Sequence, residues 1–171
     1  MWISKRALAA LLAAAVAAFS LALAVGASGS GESGGGDGAS PQLESSLAAS
    51  MPGDPHFHGV APGGLPWVLD RGEVRINDDG LDLRVEGLVI PRPAGDGTPG
   101  GVMTISASLY CGADTDTAAA DTTRQVRISR AGDARIRDRG FDVPATCLAP
   151  VVLVHPNGNA ATYIAVDGWR S

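Results

Sequence analysis

Apolar and polar residues alternate along most of the chain beyond residue 66, and a period of two predicts strands rather than helices. In Glu73-Val74-Arg75-Ile76-Asn77, Val74 and Ile76 point one way and their polar neighbours the other. Asp78-Asp79-Gly80 supplies turn chemistry, with a glycine able to take positive φ. Leu81, Leu83 and Val85 then alternate with Asp82, Arg84 and Glu86. Two such runs around a glycine turn predict a β-hairpin. Its second strand is expected to continue through Leu88-Val89-Ile90 until Pro91 stops it.

After a Gly/Pro loop, Val102 to Cys111 alternates again. Met103, Ile105, Ala107, Leu109 and Cys111 share one face, and Thr104, Ser106, Ser108 and Tyr110 the other. Gln125–Ser129 and Ala134–Ile136 are shorter alternating runs, and Phe141 and Val143 form an apolar pair before Pro144. Val151-Val152-Leu153-Val154 is continuously apolar, as suits a strand covered on both faces, and Thr162–Val166 closes the series. About seven short strands separated by Gly/Pro turns, with no helical period, predict an all-β fold. The expected form is a single small β-sandwich of immunoglobulin-like type, with a small β-barrel as the alternative.

The N-terminus reads differently. Lys5 and Arg6 precede an uncharged Ala/Leu-rich run from Ala7 to Val25, closed by small residues at Ala22-Leu23-Ala24 and Val25-Gly26-Ala27. Basic start, apolar run and small-residue site are the order of a secretory signal, with cleavage expected after Ala24 or Ala27. The run of 19 residues also approaches the length of a membrane-spanning helix, so an uncleaved anchor is the competing expectation. In both cases the basic end stays cytoplasmic and the rest lies outside. The expected organisation is a signal peptide over 1–27, a disordered Gly/Ser/Pro-rich linker over 28–64 and a β-sandwich domain over 65–171.

Charge narrows the partners. The whole chain has 13 Lys+Arg and 18 Asp+Glu, and loss of Lys5 and Arg6 leaves 11 against 18, a formal charge of −7. Nucleic-acid binding needs a concentrated basic surface, so that balance argues against it. Cys111 and Cys147 are the only cysteines. An exported chain with an even pair is expected to bond them as a disulfide. Two thiols alone are too few for a structural zinc site, and 36 positions of separation are unlike a close-spaced redox pair.

Candidate chemistry is sparse. His56-Phe57-His58 would place two imidazoles on one side of a strand, where they could share a metal such as copper, with His155, Met51 and Met103 as the other ligands of that kind. The competing reading is an exposed His-x-His in a Pro/Gly segment. Asn77-Asp78-Asp79, Asp96 and Asp114-Thr115-Asp116 are acidic, but their spacing is not that of an EF-hand, and Asp is an ordinary turn residue. There is no G-x-S-x-G motif, and a carboxylate pair for hydrolysis has no signature in sequence spacing. Trp67 and Trp169 flank the domain, either as aromatic platforms for a ligand or as packing over its open ends.

Pro66-Trp67, Gly87-Leu88-Val89-Ile90-Pro91, Ser108-Leu109-Tyr110-Cys111, Gly132-Asp133-Ala134-Arg135-Ile136 and the late Cys147 follow one another in an order that resembles small secreted proteins of actinobacteria. The resemblance covers residues 66 to 166 and implies export and a β domain, without an activity. The leading expectation is therefore an exported, non-enzymatic β-sandwich module without a cofactor, meeting a protein or cell-wall partner at the envelope or beyond it. A small secreted hydrolase with a carboxylate site is the alternative, and a metal-binding protein using His56 and His58 is a third.

Overall fold

The computed structural model describes residues 43–114 and 118–168. The expected signal peptide over 1–27, residues 28–42 and Trp169 lie outside the described residues. The fold is all-β, with no helix among the described residues. Its strands are β1 (Leu43–Ala49), β2 (Ala61–Pro62), β3 (Arg71–Asn77), β4 (Gly80–Glu86), β5 (Thr104–Tyr110), β6 (Asp121–Thr122), β7 (Val126–Arg127), β8 (Ala134–Asp138), β9 (Val151–Pro156), β10 (Thr162–Tyr163) and β11 (Ala165–Asp167). Nine form one antiparallel sheet in the order β6-β5-β9-β11-β1-β3-β4-β8, with β7 also on β5. The sheet curls into a half-barrel, so that β8 comes back against β5 and β7. β2 and β10 make a small parallel sheet of their own.

The strand β1 corrects the domain boundary. Residues 43–64 fall within the expected disordered linker, yet Leu43–Ala49 lies inside the sheet with a neighbour on each side. Its first half pairs with β3, from Leu43 opposite Ile76 to Ser46 opposite Glu73. Its second half pairs with β11, from Leu47 opposite Asp167 to Ala49 opposite Ala165. β1 therefore turns the corner between the two halves of the sheet, as strands do where two sheets meet. Gly72 permits the corner, because a Cβ there would stand 2.7 Å from Leu47 Cβ and 2.6 Å from Leu69 Cδ2.

The hairpin forms as the alternation predicts. β3 and β4 pair from Arg71 opposite Glu86 to Asn77 opposite Gly80. Asn77 Oδ1 accepts the Asp79 N–H at 3.0 Å, the local bond that makes Asn a turn residue. β4 ends earlier than expected. Gly87 takes φ +68, and only Val89 beyond it makes a bridge, to Val68. Leu88 and Ile90 are nonetheless buried, as plugs of the core rather than as strand residues.

The main core lies in the concave interior. Val74, Ile76, Leu83, Val85 and Ile136 come from one half, and Ile105, Ala107, Leu109, Val152, Val154 and Ala165 from the other. Trp67 joins them at 5% exposure, so it is packing and not a platform. Met103 leaves its expected apolar face and is exposed. Val151–Val154 is covered on both faces as expected, because Leu153 belongs to a second cluster with Val60, Tyr110, Tyr163 and Val166. The Thr162–Val166 run is interrupted at Ile164, whose neighbours fall into β10 and β11.

Cys111 and Cys147 are bonded, with Cα atoms 5.0 Å apart. The bridge ties the end of β5 to the segment before β9, and the Gly112 N–H donates to Leu148 O at 2.7 Å beside it.

Two substitutions test this frame. Gly80 has φ +114, and a Cβ there would stand 2.0 Å from Asp138 O. Gly80→Val is expected to cost at least about 2 kcal/mol in urea unfolding, and an unchanged midpoint would remove the turn's role. Replacing Cys111 and Cys147 together by Ser should cost about 4 kcal/mol on the chain-entropy model, read by the same unfolding curve against the oxidised parent.

Candidate functional site

The two outer faces of the curled sheet are treated differently. Over β5, β9 and β11 the outer face is roofed by residues 50–64 and by β10. The roof is held where the Tyr163 hydroxyl donates to Pro55 O at 2.8 Å and the Gly63 N–H donates to Tyr163 O at 2.8 Å. The Phe57 and Val60 backbones exchange hydrogen bonds around His58-Gly59, with φ +50 and +77. That is a two-residue turn of type I′ geometry.

This turn decides where the His-x-His residues go. They lie in a turn, not in a strand, and do not share a face: His56 is exposed, whereas His58 is 1% exposed and stacks on Tyr110 with centroids 5.0 Å apart. His58 Nε2 lies 3.8 Å from Asp114 Oδ1. Among the described residues no group of three or more His, Cys, Asp or Glu is placed to hold a metal ion. Of the acidic turns, Asp96 Oδ1 accepts the Thr98 N–H at 3.0 Å, and its bonds with Thr98 hold the Asp96 pKa below the usual range. Asp96 and Asn77 are thus turn-forming residues. Thr115 and Asp116 lie outside the described residues.

His155, named in the sequence only as a further metal-ligand type, is enclosed instead. It sits under the roof at 1% exposure, opposite Ser106 in register. Its Nδ1 lies 2.8 Å from Thr162 O, and a carbonyl partner assigns the proton to Nδ1. Nε2 has no hydrogen-bond partner among the described residues, and neither does Ser50 Oγ. Burial pushes the His155 pKa below its ordinary value, opposed by the bond to Thr162. Burial likewise raises Asp167, which accepts the Val152 N–H at 2.7 Å, and raises Tyr110 against its bond with Ser108.

The other outer face, over the start of β1 and over β3, β4 and β8, carries no roof among the described residues. The hairpin alternation directs Arg71, Glu73 and Arg75 outward from β3 and Asp82, Arg84 and Glu86 outward from β4. Glu44 joins from β1, and Arg135 and Arg137 from β8. In register, Glu44, Arg75, Asp82 and Arg137 form one row of alternating sign. The next row is Glu73, Arg84 and Arg135, in which two arginines stand directly opposite each other.

Each of these arginines leans on a carboxylate. Arg135 grips Asp82 with two bonds, Nε at 3.1 Å and Nη2 at 2.6 Å. Arg75 Nε donates to Glu44 at 3.0 Å, Arg137 Nε lies 3.4 Å from Asp82, Arg71 lies 3.7 Å from Glu86, and Arg84 pairs with Glu86 along its own strand. The bonds to Glu44 and Asp82 raise the pKa values of Arg75 and Arg135 above the ordinary arginine value. The five arginine side chains are 47–65% exposed, so solvent screens every pair and their contribution to stability is small.

Comparison with family models, curated proteins and solved structures finds no match to the chain. Fold and geometry define a class: a disulfide-linked, half-barrel β domain with one roofed and one bare, charge-patterned sheet face. No helix of the described residues is long and apolar enough to cross a membrane.

His155 generates a pH prediction. Its folded pKa lies below the unfolded value of 6.5, so the unfolded chain takes the proton first. Stability should therefore fall as pH drops through 6.5 toward the folded value. Asp167 acts with opposite sign at lower pH, because its folded pKa lies above 3.8 and the native state takes that proton first. Melting temperatures at pH 7.5 and 5.5 should show the loss in the parent and a smaller loss in His155→Leu. Equal losses would assign the pH dependence to another group.

Proposed function

We propose that the protein is an exported, non-enzymatic binding module that meets a protein or cell-wall partner at or beyond the cell surface through the bare face of β3, β4 and β8. The observation that carries this reading is the asymmetry of the two outer faces. The β5–β9–β11 face buries Tyr110, Leu153 and Val166, with Ser106, Ser108 and His155 among them, under residues 50–64. The β3–β4–β8 face instead displays exposed guanidinium and carboxylate groups in ordered rows. Five of the eleven arginines beyond residue 27 point outward there, in a stretch of chain with net charge −7.

Arginine suits a recognition surface because its planar fork binds carboxylates and phosphates in a fixed geometry. The intramolecular pairs are solvent-screened, so a partner can take over an arginine at little cost in fold stability. The basic-apolar-small order of residues 1–27 supports export, and the Cys111–Cys147 bond suits an oxidising compartment. A protein of secreted actinobacterial type fits the same reading.

The test has two parts. Cell fractionation should recover the protein outside the cytoplasm with the disulfide formed, and a reduced cytoplasmic pool would overturn the export reading. In a sedimentation assay with washed cells of the source organism, the native protein should be retained. A variant combining Arg75→Ser, Arg84→Ser, Arg135→Ser and Arg137→Ser should stay in the supernatant with its melting profile preserved. Equal retention of both would exclude this face as the binding surface.

A further inference from the structure

The charged face has a chemistry more specific than its net charge. Arg84 and Arg135 stand directly opposite each other on adjacent antiparallel strands. Like charges in that position are unfavourable, and either could be replaced without loss to the core, since both point outward. They relieve the contact by turning apart, Arg84 to Glu86 and Arg135 to Asp82. An anion placed between them would relieve it directly and receive two guanidinium forks. Arg75 closes the same recess, which has a volume of about 130 Å³ and is also lined by Glu73 and Asp82.

The recess is not isolated. An open depression of about 380 Å³ adjoins it along Arg75, Asp82 and Arg137. Another, of about 660 Å³, adjoins it along Arg84, Glu86 and Arg135. The three shallow sites follow β4 and β8 from the hairpin turn to Gly87, which suits an extended chain lying along these strands better than a compact ligand, which would be enclosed in a deep, mostly apolar pocket.

The carboxylates between the arginines constrain that chain further. Glu73, Asp82 and Glu86 accept hydrogen bonds and repel anions. A ligand that satisfies the whole pattern presents both spaced anions and hydrogen-bond donors, as a sugar acid does with its carboxylate and hydroxyls. A densely charged polyanion meets these carboxylates and the −7 of the chain beyond residue 27 as repulsion. A neutral glycan leaves the arginines without an anionic partner.

We infer that the β3–β4–β8 face binds an acidic polysaccharide, with a carboxylate between Arg84 and Arg135 and sugar hydroxyls donating to Glu73, Asp82 and Glu86. The inference rests on the reading of this face as the binding surface and names its ligand class.

The full secreted chain with its disulfide intact is the reagent, and immobilised polygalacturonate, dextran and inorganic polyphosphate are the probes. Retention is expected on polygalacturonate, absent on dextran and weaker on polyphosphate. Arg84→Ala with Arg135→Ala should weaken polygalacturonate binding by at least about tenfold while the melting profile holds. Arg92→Ala with Arg124→Ala, two exposed arginines off this face with the same change in charge, should leave it unchanged. No retention on polygalacturonate, equal or stronger retention on polyphosphate, or equal loss in the control pair would each overturn the inference. The cell-retention assay separates the two levels. If the four-serine variant loses retention while the native protein ignores polygalacturonate, the binding face stands and the polysaccharide falls. If native and variant are retained equally, the face falls with it.

Discussion

The architecture depends on how one strand divides its hydrogen bonds. β1 gives its first four residues to β3 and its last three to β11, so a single extended segment belongs to both halves of the curled sheet. The concave core exists because of that division: it brings Val74, Ile76 and Leu83 to face Ala107, Val154 and Ala165. The corner needs close backbone approach, and Gly72 supplies it by leaving Leu47 the space a side chain would take. Both outer faces follow from the same corner. One half presents an uncharged exterior of aromatic, aliphatic, serine and histidine side chains that residues 50–64 cover, and the other presents the charged rows.

The β3–β4 hairpin was legible because three independent signals coincide there: alternation before the turn, alternation after it, and Gly80 in a conformation that L-residues avoid. β1 was not legible. Leu43-Glu44-Ser45-Ser46-Leu47-Ala48-Ala49 follows a Gly/Ser-rich stretch, contains only two large apolar residues, and owes its order to neighbours distant in sequence. Its pairing is tertiary, and local propensity carries little of it. Trp67 shows the reverse. Its position at the edge of the predicted domain left open whether it faced solvent, and the preceding strand makes it interior. The disulfide was legible from two cysteines and the expectation of export, a matter of counting and of redox compartment.

The candidate face was half legible. Alternation places Asp82, Arg84 and Glu86 on the outward side of β4, but it does not say which residues of other strands lie beside them. The rows appear only once the order β1-β3-β4-β8 and its register are known. Arg84 and Arg135 are 51 positions apart in the chain and directly opposed in the sheet. The histidines fail for a related reason. The argument for His56 and His58 assumed an extended backbone, and the His58-Gly59 turn sends one imidazole outward and folds the other beneath the roof. His155 directly follows the apolar run Val151–Val154 that the sequence marks as doubly covered, and only the roof shows how enclosed it is.

The interior position of β1 has a mechanical consequence. Whatever precedes Leu43 is joined to a strand whose first four residues are laddered to β3 and whose last three are laddered to β11. In antiparallel ladders the hydrogen bonds lie perpendicular to the strands. Tension drawn along β1 from its N-terminal end therefore acts as shear, loading the ladder to β3 first and the ladder to β11 behind it, instead of opening bonds one at a time. The ladder to β3 lies beside the arginine rows. A domain held by its N-terminal end and gripping a ligand on that face would carry the force through the shortest available path, across one strand, without passing it through the disulfide or the roof.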